Sequence, residues 1–405
     1  MQSIEDHIDL VAGAFWGRNP HEDLRWLRTN APVRRDPHSG VWGVATYDLV
    51  KHVSTHPETF SSACGIRPDY GPQPMMIDMD DPAHWQRRKL VNKGFTPNQV
   101  RDKEASIRRI VDGLIDAVCE RGECDLVGDI AAWLPLIVIG DVLGVDPADR
   151  SQLLRWSEDM MSMLGQRSDE ATQRAMNASA GYISYTKDAI SSRRHCPADD
   201  LMSILVHAEV DGDRLDDAAV ISESLLILNG GDETTRHVIS GGVYQLLVER
   251  ERWDDLRLDR SLLPSAVEEM LRWVSPIKNM ARIATADVRL ARQTIPAGDK
   301  LLLLYPSANR DEAVFENPFR FDIRRNPNPH VAFGYGPHFC LGSNLAKLEL
   351  RVVLGQLLDR LPDLALVEDG EPPHRAANFV SGYERVPVRF TPVRAVGARR
   401  EETYS

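Results

Sequence analysis

Apolar residues recur every three to four positions through six long segments, 97–120, 126–143, 148–164, 169–193, 215–251 and 264–273, which predicts an amphipathic helix in each. Strand-like runs are fewer and shorter. They fall at 41–45, 288–290, 300–305 and 386–391, the middle two joined across Ile295-Pro296-Ala297-Gly298, a turn signal. The pattern specifies a mainly α fold with small β-sheets. Segment 215–251 is long for a globular helix, and Asn229-Gly230-Gly231-Asp232-Glu233-Thr234-Thr235 lies at its middle. Paired glycines weaken a helix, so a local opening of the hydrogen-bond ladder is expected there, leaving room for a small ligand. Glu233 and Thr234 would supply a carboxyl and a hydroxyl for relaying protons. Asp232 and Thr235 read more simply as polar residues facing solvent.

At 405 residues the chain could hold two or three average domains, but no Gly/Ser-rich or Pro-rich run, repeat or low-complexity segment marks a linker. One domain over 1–405 is predicted, with a short flexible N-terminus and a flexible tail from about residue 394. The longest apolar run, Ile130 to Gly140, contains Trp133 and Pro135 and is too short to span a bilayer, so no membrane anchor is expected. The start, Met1-Gln2-Ser3-Ile4-Glu5-Asp6-His7, lacks the basic and apolar parts of a secretory signal, which predicts a cytoplasmic protein. Cys64, Cys119, Cys124, Cys196 and Cys340 are few and scattered, and read as reduced thiols. A net charge of −12 argues against a general nucleic-acid role. One segment reverses the sign: between His84 and Ile110, Arg87, Arg88, Lys89, Lys93, Arg101, Lys103, Arg108 and Arg109 stand against Asp102 and Glu104 alone. Taken by itself this is a solvated helix face.

The densest chemistry is Phe333-Gly334-Tyr335-Gly336-Pro337-His338-Phe339-Cys340-Leu341-Gly342. A thiolate buried among apolar side chains is costly unless a cation neutralises it and backbone N–H groups point at the sulfur, and glycines permit that approach. A lone cysteine would be read as a small structural residue. Here Phe333, Gly336, His338, Cys340 and Gly342 meet every fixed position of Phe-x-x-Gly-x-Arg/His-x-Cys-x-Gly, and the chain resembles the cytochrome P450 superfamily over essentially its whole length. The resemblance implies the triangular, mostly helical, single-domain fold of that family. It also implies haem b as cofactor, cradled by this loop, with Cys340 as the axial iron ligand pushing electron density into the metal.

Other segments extend the resemblance. Gly230-Gly231-Asp232-Glu233-Thr234 is similar to the family's Ala/Gly-Gly-x-Asp/Glu-Thr motif, which implies that Thr234 holds the distal water network and Glu233 delivers protons for oxygen activation. Glu269-x-x-Arg272 is a common helical pair, but with Phe321-Asp322-Ile323-Arg324-Arg325 after it the order resembles the family's Glu-Arg-Arg network, so that Glu269, Arg272 and Arg325 would lock the haem-loop region. His84 and Arg88 match a His-x-x-x-Arg helix, Arg282 follows the Glu-x-x-Arg helix, and His338 lies two residues before the ligand; position relative to the motifs makes these four the implied partners of the haem propionates. Substrate contacts are expected from Met75, Met76, Ile77, Leu226, Asn229, Gly230, Ile277, Met280, Phe379 and Val380, with Met160, Met161, Met163 and Leu164 nearby. Asn229 departs from the pattern, which calls for an apolar residue before the glycines.

The phrases Gly65-Ile66-Arg67-Pro68-Asp69 and Asn378-Phe379-Val380-Ser381-Gly382 look like those of actinobacterial steroid side-chain hydroxylases. The implied activity is hydroxylation of the terminal methyl (C26/C27) of the cholesterol or cholest-4-en-3-one side chain, with onward oxidation to the acid, in sterol catabolism. The same chemistry on a terpenoid or polyketide, a haem-thiolate sensor without turnover, and a peroxide-driven peroxygenase are the alternatives. Glu233 and Thr234 argue for dioxygen activation over the last two. No nicotinamide or flavin motif of adequate length is present, so electrons must come from outside. The expected partners are a ferredoxin with its reductase, docked on the outward members of the basic stretch, together with O2 and a hydrophobic steroid.

Overall fold

The structure, a computed structural model, describes residues 7–162, 168–210, 212–368 and 370–397. Helices dominate. The longest, Asp217–Val248, starts where the Asp216 carboxylate accepts the Ala219 N–H at 2.8 Å. It runs unbroken through Asn229–Thr235, so the expected opening of the ladder at the paired glycines does not occur. An interior glycine costs a helix only about 1 kcal/mol, and close packing outweighs that: a Cβ on Gly231 would sit 2.9 Å from Ile139 Cγ1 on the neighbouring helix Trp133–Leu143.

The stretch Leu126–Leu143 is, over its 18 residues, long and apolar enough to cross a membrane, contrary to the sequence expectation. Yet 72% of it is buried inside the protein, against the long helix and Glu104–Asp116. The predicted helix 97–120 breaks at Lys103 into Pro97–Asp102 and Glu104–Asp116, the first started by a capping box between Thr96 and Gln99. Segments 148–164, 169–193 and 264–273 become Arg150–Ser162, Asp169–His195 and Leu263–Val274. Periodicity misses the two helices that flank the cysteine loop in space and in sequence, Ala83–Val91 and Ser343–Arg360. In the second, buried residues such as Leu345, Leu348, Val353, Leu354 and Leu358 lie all around the helix, so there is no one-sided stripe to detect.

The main sheet has the order Val33–Arg35, Trp42–Val44, Lys300–Leu304, Asn279–Ala284, Phe60–Ser61. Val288–Leu290 does not pair with 300–305 as predicted. It closes a hairpin with Gln293–Ile295, and the turn after it leads into the main sheet, where Lys300–Leu304 lies between Trp42–Val44 and Asn279–Ala284. Residues 1–6 of the expected flexible N-terminus, and the end of the tail, lie outside the described residues. The start of the tail is anchored, because Val396 and Gly397 N–H each donate to the Asp116 carboxylate at 2.9 Å.

Candidate active site

The loop that carries Cys340 is folded back on itself by two backbone bonds, Cys340 N–H to Phe333 O at 2.9 Å and Phe339 N–H to Gly336 O at 3.0 Å. Gly336 has φ +75°, and a Cβ there would lie 2.4 Å from the Ser54 carbonyl oxygen, so only glycine lets the loop press on the helix Tyr47–Thr55. Cys340 is half-buried and opens onto a cavity. Burial pushes its thiol up; the Gly342 N–H aimed at the sulfur and the nearby Arg88 guanidinium pull the other way. These are the two neighbours that a bound thiolate needs.

The cavity, counted together with the open space at its mouth, holds about 1310 Å³. A Cβ on Gly230, from the long helix, or on Gly342, from the cysteine loop, would meet nothing within 4 Å, so both backbones lie bare against the space. Met76, Ile77, Leu226, Ile277 and Met280 line it as expected, as do His84, Arg88, Phe333, His338 and Thr234. Arg282 stands behind this wall with Nη1 donating to the Ala281 carbonyl, and burial pulls its guanidinium down. His338, whose ring is 4.1 Å from that of His84, is pushed down to about 2 by burial and then by Arg282, His84 and Arg88. Four potential cations thus stand close together, with His338 disfavoured as a cation by the other three and His84 paired with Asp81 at 3.1 Å. A pair of carboxylates would relieve them. The bare glycine backbones, the thiol beside an N–H and a guanidinium, and this basic cluster all fit haem: Cys340 would take the iron, and His84, Arg88, Arg282 and His338 the propionates.

Several expected pocket residues lie elsewhere. Met75, Asn229, Phe379 and Val380 are not at the cavity wall. Phe379 and Val380 pack with Ile66 and Met161 behind Ile77, Ile277 and Met280, and Val380 pairs with Ile277 across an isolated bridge, so they back the wall instead of forming it. Met75 is buried, and Asn229 keeps its Oδ1 buried without a protein partner. Met160 is buried away from the cavity wall, and Met163 and Leu164 lie outside the described residues.

On the long helix, Thr234 faces the cavity and its Oγ1 donates to the Gly230 carbonyl at 2.8 Å. Glu233 does not reach the cavity wall. It is wholly buried, with Oε2 accepting from Arg375 Nη1 at 2.8 Å and Oε1 3.5 Å from Arg236 Nη1. Asp232 and Thr235 do not face solvent as expected: both are buried, and Thr235 lines the cavity. Burial, then Glu233, raises the Asp232 carboxyl. Glu349, which the sequence reading missed, also lines the cavity, and burial, followed by Asp232, raises it far above the carboxylate range. Counting in helical steps from Gly342 would have found it, since Gly342, Leu345, Ala346, Glu349 and Leu350 all reach the cavity.

Behind the loop, Glu269 accepts from Arg272 Nε and Nη2 at 2.7 Å each, Arg325 Nε at 3.1 Å, Asn328 Nδ2 at 3.1 Å and the Asp322 N–H at 2.8 Å. Arg272 Nη1 donates on to the carbonyls of Asn309 and Pro318, and Asn309 Oδ1 accepts the Val331 N–H at the root of the cysteine loop. The three residues expected to form a network do so.

A helical fold around a cavity that presents one thiolate-forming cysteine, a hydroxyl from the long helix and a basic cluster fits the haem-thiolate class of oxygen-activating proteins. Comparison with known proteins gives the family. Residues 249–382 match the family model for Cytochrome P450. The chain is 55% identical over 393 residues to "Steroid C26-monooxygenase" of Mycobacterium tuberculosis (strain ATCC 25618 / H37Rv), covering 96% of this chain and 98% of that one. It is equally 55% identical over 387 residues to the protein of that name in Mycolicibacterium smegmatis, covering 95% and 96%. The structure of CYP109E1 from Bacillus megaterium in complex with testosterone superposes with a TM-score of 0.86 at 34% identity, covering 96% of this chain and 100% of that one. The chain belongs to the cytochrome P450 family, whose cofactor is haem b.

Proposed function

We propose that this protein is a single-domain, cytoplasmic haem-thiolate monooxygenase that hydroxylates the terminal methyl of a cholesterol or cholest-4-en-3-one side chain. The observation that carries the reading is the cavity: besides Cys340 it is lined by Met76, Ile77, Leu226, Ile277 and Met280, apolar surface suited to a lipid, with Thr234 among its polar groups. The resemblance to steroid C26-monooxygenases supplies the substrate class. Haem held by Cys340 supplies the redox centre at which dioxygen is reduced and one oxygen atom is placed in a C–H bond. Thr234 Oγ1, tethered to the Gly230 carbonyl, positions a hydroxyl in the cavity, and Glu233 holds proton-bearing capacity one residue behind it, oriented by Arg375. The apolar wall excludes bulk water and buries the steroid.

Electrons come from an outside donor, for which we propose a ferredoxin served by a ferredoxin reductase. Of the basic stretch, Lys89, Lys93, Arg101, Arg108 and Arg109 are exposed, and Lys103 is half-buried. Arg87 points inward to Glu223, and Arg108 pairs with Glu104, so the outward field is smaller than the sequence count implies. Turnover should slow as salt screens it.

The test is a spectral titration of the ferric protein with cholest-4-en-3-one. Displacement of the distal water should shift the Soret band; a band unmoved by any steroid would overturn the substrate assignment. In the reduced, CO-bound protein, Cys340→Ser should abolish the red-shifted thiolate band, and Cys64→Ser or Cys196→Ser should leave it.

A further inference from the structure

Pro74–Asp78 brings two apolar side chains, Met76 and Ile77, to the cavity wall, yet its only regular structure is one 3-10 turn, Met76–Asp78. Asp78 ties this loop to its own neighbourhood, accepting the N–H of Ile66 at 2.9 Å and of Gln73 at 2.8 Å and pairing with Arg67 at 3.2 Å. The other tie comes from the long helix. Glu223 Oε1 accepts the Met76 N–H at 2.8 Å and Arg87 Nη1 at 3.2 Å, and the same Arg87 nitrogen donates to the Pro74 carbonyl at 2.9 Å. Glu223 is wholly buried and its second oxygen has no hydrogen-bond partner among the described residues. Burial pushes its carboxyl up to about 7 against the pull of Arg87 and the Met76 N–H. An apolar side chain would sit there at lower cost. What the carboxylate adds is a hold on a backbone N–H, which no apolar group can make.

We propose that Glu223 is a positioning residue that latches Pro74–Asp78 to the long helix, so that the closure of this wall governs how long a bound substrate stays. The identity of that substrate rests on the steroid reading above; the latch does not. Met76 is held by its N–H while its side chain faces the cavity, so release of the Glu223 bond frees Met76 and the adjoining Ile77 together. Arg87 closes the bridge from the helix Ala83–Val91 with a side chain still 22% exposed, so the latch has one member within reach of water.

The test uses the haem-loaded protein with Glu223→Leu, Glu223→Gln and Arg87→Gln. Amide hydrogen exchange across Met75–Asp78 is followed without steroid, and the dissociation rate of cholest-4-en-3-one by stopped-flow absorbance. Glu223→Leu should accelerate exchange and raise the dissociation rate roughly tenfold, the equivalent of about 1.4 kcal/mol, with haem content unchanged. Glu223→Gln keeps an acceptor for the Met76 N–H and should recover most of the slow dissociation, a rescue that a general loss of stability would not show. Should Glu223→Leu fail to load haem, Arg87→Gln carries the same test through the partly exposed half of the bridge, with a smaller acceleration. Unchanged exchange overturns the latch, and faster exchange with unchanged dissociation overturns its hold on the substrate. If the unsubstituted protein binds no steroid, the substrate reading fails and the exchange comparison still decides the latch.

Discussion

Glu269 and the Asp232–Glu233 pair are wholly buried carboxylates on two helices packed against each other, Leu263–Val274 and Asp217–Val248. Glu269 accepts five hydrogen bonds, three of them from arginine nitrogens. Among the described residues Asp232 has no hydrogen-bond partner for either oxygen, and Glu233 is fixed at one oxygen by Arg375 with Arg236 standing off at 3.5 Å from the other. Five donors hold both oxygens of Glu269, so this carboxyl is immobile and serves to hold backbone in place. A carboxyl with spare acceptor sites can take up and release a proton at modest cost. The two sets of carboxylates are therefore separable here by their partners, although burial is the same.

The largest expected effect is at the immobile site. Glu269→Ala would leave Arg272 and Arg325 buried without their counter-charge and free the segment from Asn309 to Asn328 that leads into the cysteine loop, a loss typical of a broken buried pair at about 3–5 kcal/mol. The expected outcome is purified protein with little haem, read from the ratio of Soret to protein absorbance. Full haem content would make Glu269 equivalent to a surface carboxylate and collapse the contrast.

Next comes the mobile site. Glu233→Gln keeps the shape and the burial while removing the proton-bearing carboxyl, so haem content should stay normal and product formation should fall roughly 10²-fold, within the range for a lost acid–base group. Thr234→Ala should reduce product less and raise peroxide released per electron, because its hydroxyl in the cavity is lost while the carboxyl behind it remains. Both are measured as product and peroxide against reductant consumed. Loss of haem in Glu233→Gln would show that this carboxyl is structural too.

The contrast was only partly legible in the sequence, and the reason is distance along the chain. The cysteine loop closes through Cys340 N–H to Phe333 O, seven residues apart, so its glycines could be read directly. Glu269 and Arg272 are one helical turn apart and equally readable. Arg375 reaches Glu233 across 142 residues and Glu223 reaches Met76 across 147, and neither pairing leaves a local mark. Phe379 and Val380 were assigned to the pocket because hydrophobicity gives depth without giving layer: they back the wall that Ile77, Ile277 and Met280 form. Asp232 was misplaced in solvent for the same reason, since a carboxylate beside two glycines carries no sign of what packs over it.

That misplacement yields the smallest and most discriminating prediction. The Asp232 carboxyl is raised, to about 8, first by burial and then by Glu233. In the unfolded chain the same group titrates near pH 4, so between about pH 4 and about pH 8 the folded protein binds the extra proton and the unfolded one does not. Stability must then fall as pH rises across that window, with the contribution fully present below the unfolded value and lost on passing the folded one. Asp232→Asn removes a titrating group while keeping the shape, so the melting temperature of the haem-loaded variant should fall less over the same range. Glu349, raised in the same direction, leaves a residual slope in the variant. Melting curves at matched ionic strength from pH 5 to 8 decide the matter, and parallel curves for the two proteins would mean that Asp232 finds donors in solution as complete as those around Glu269.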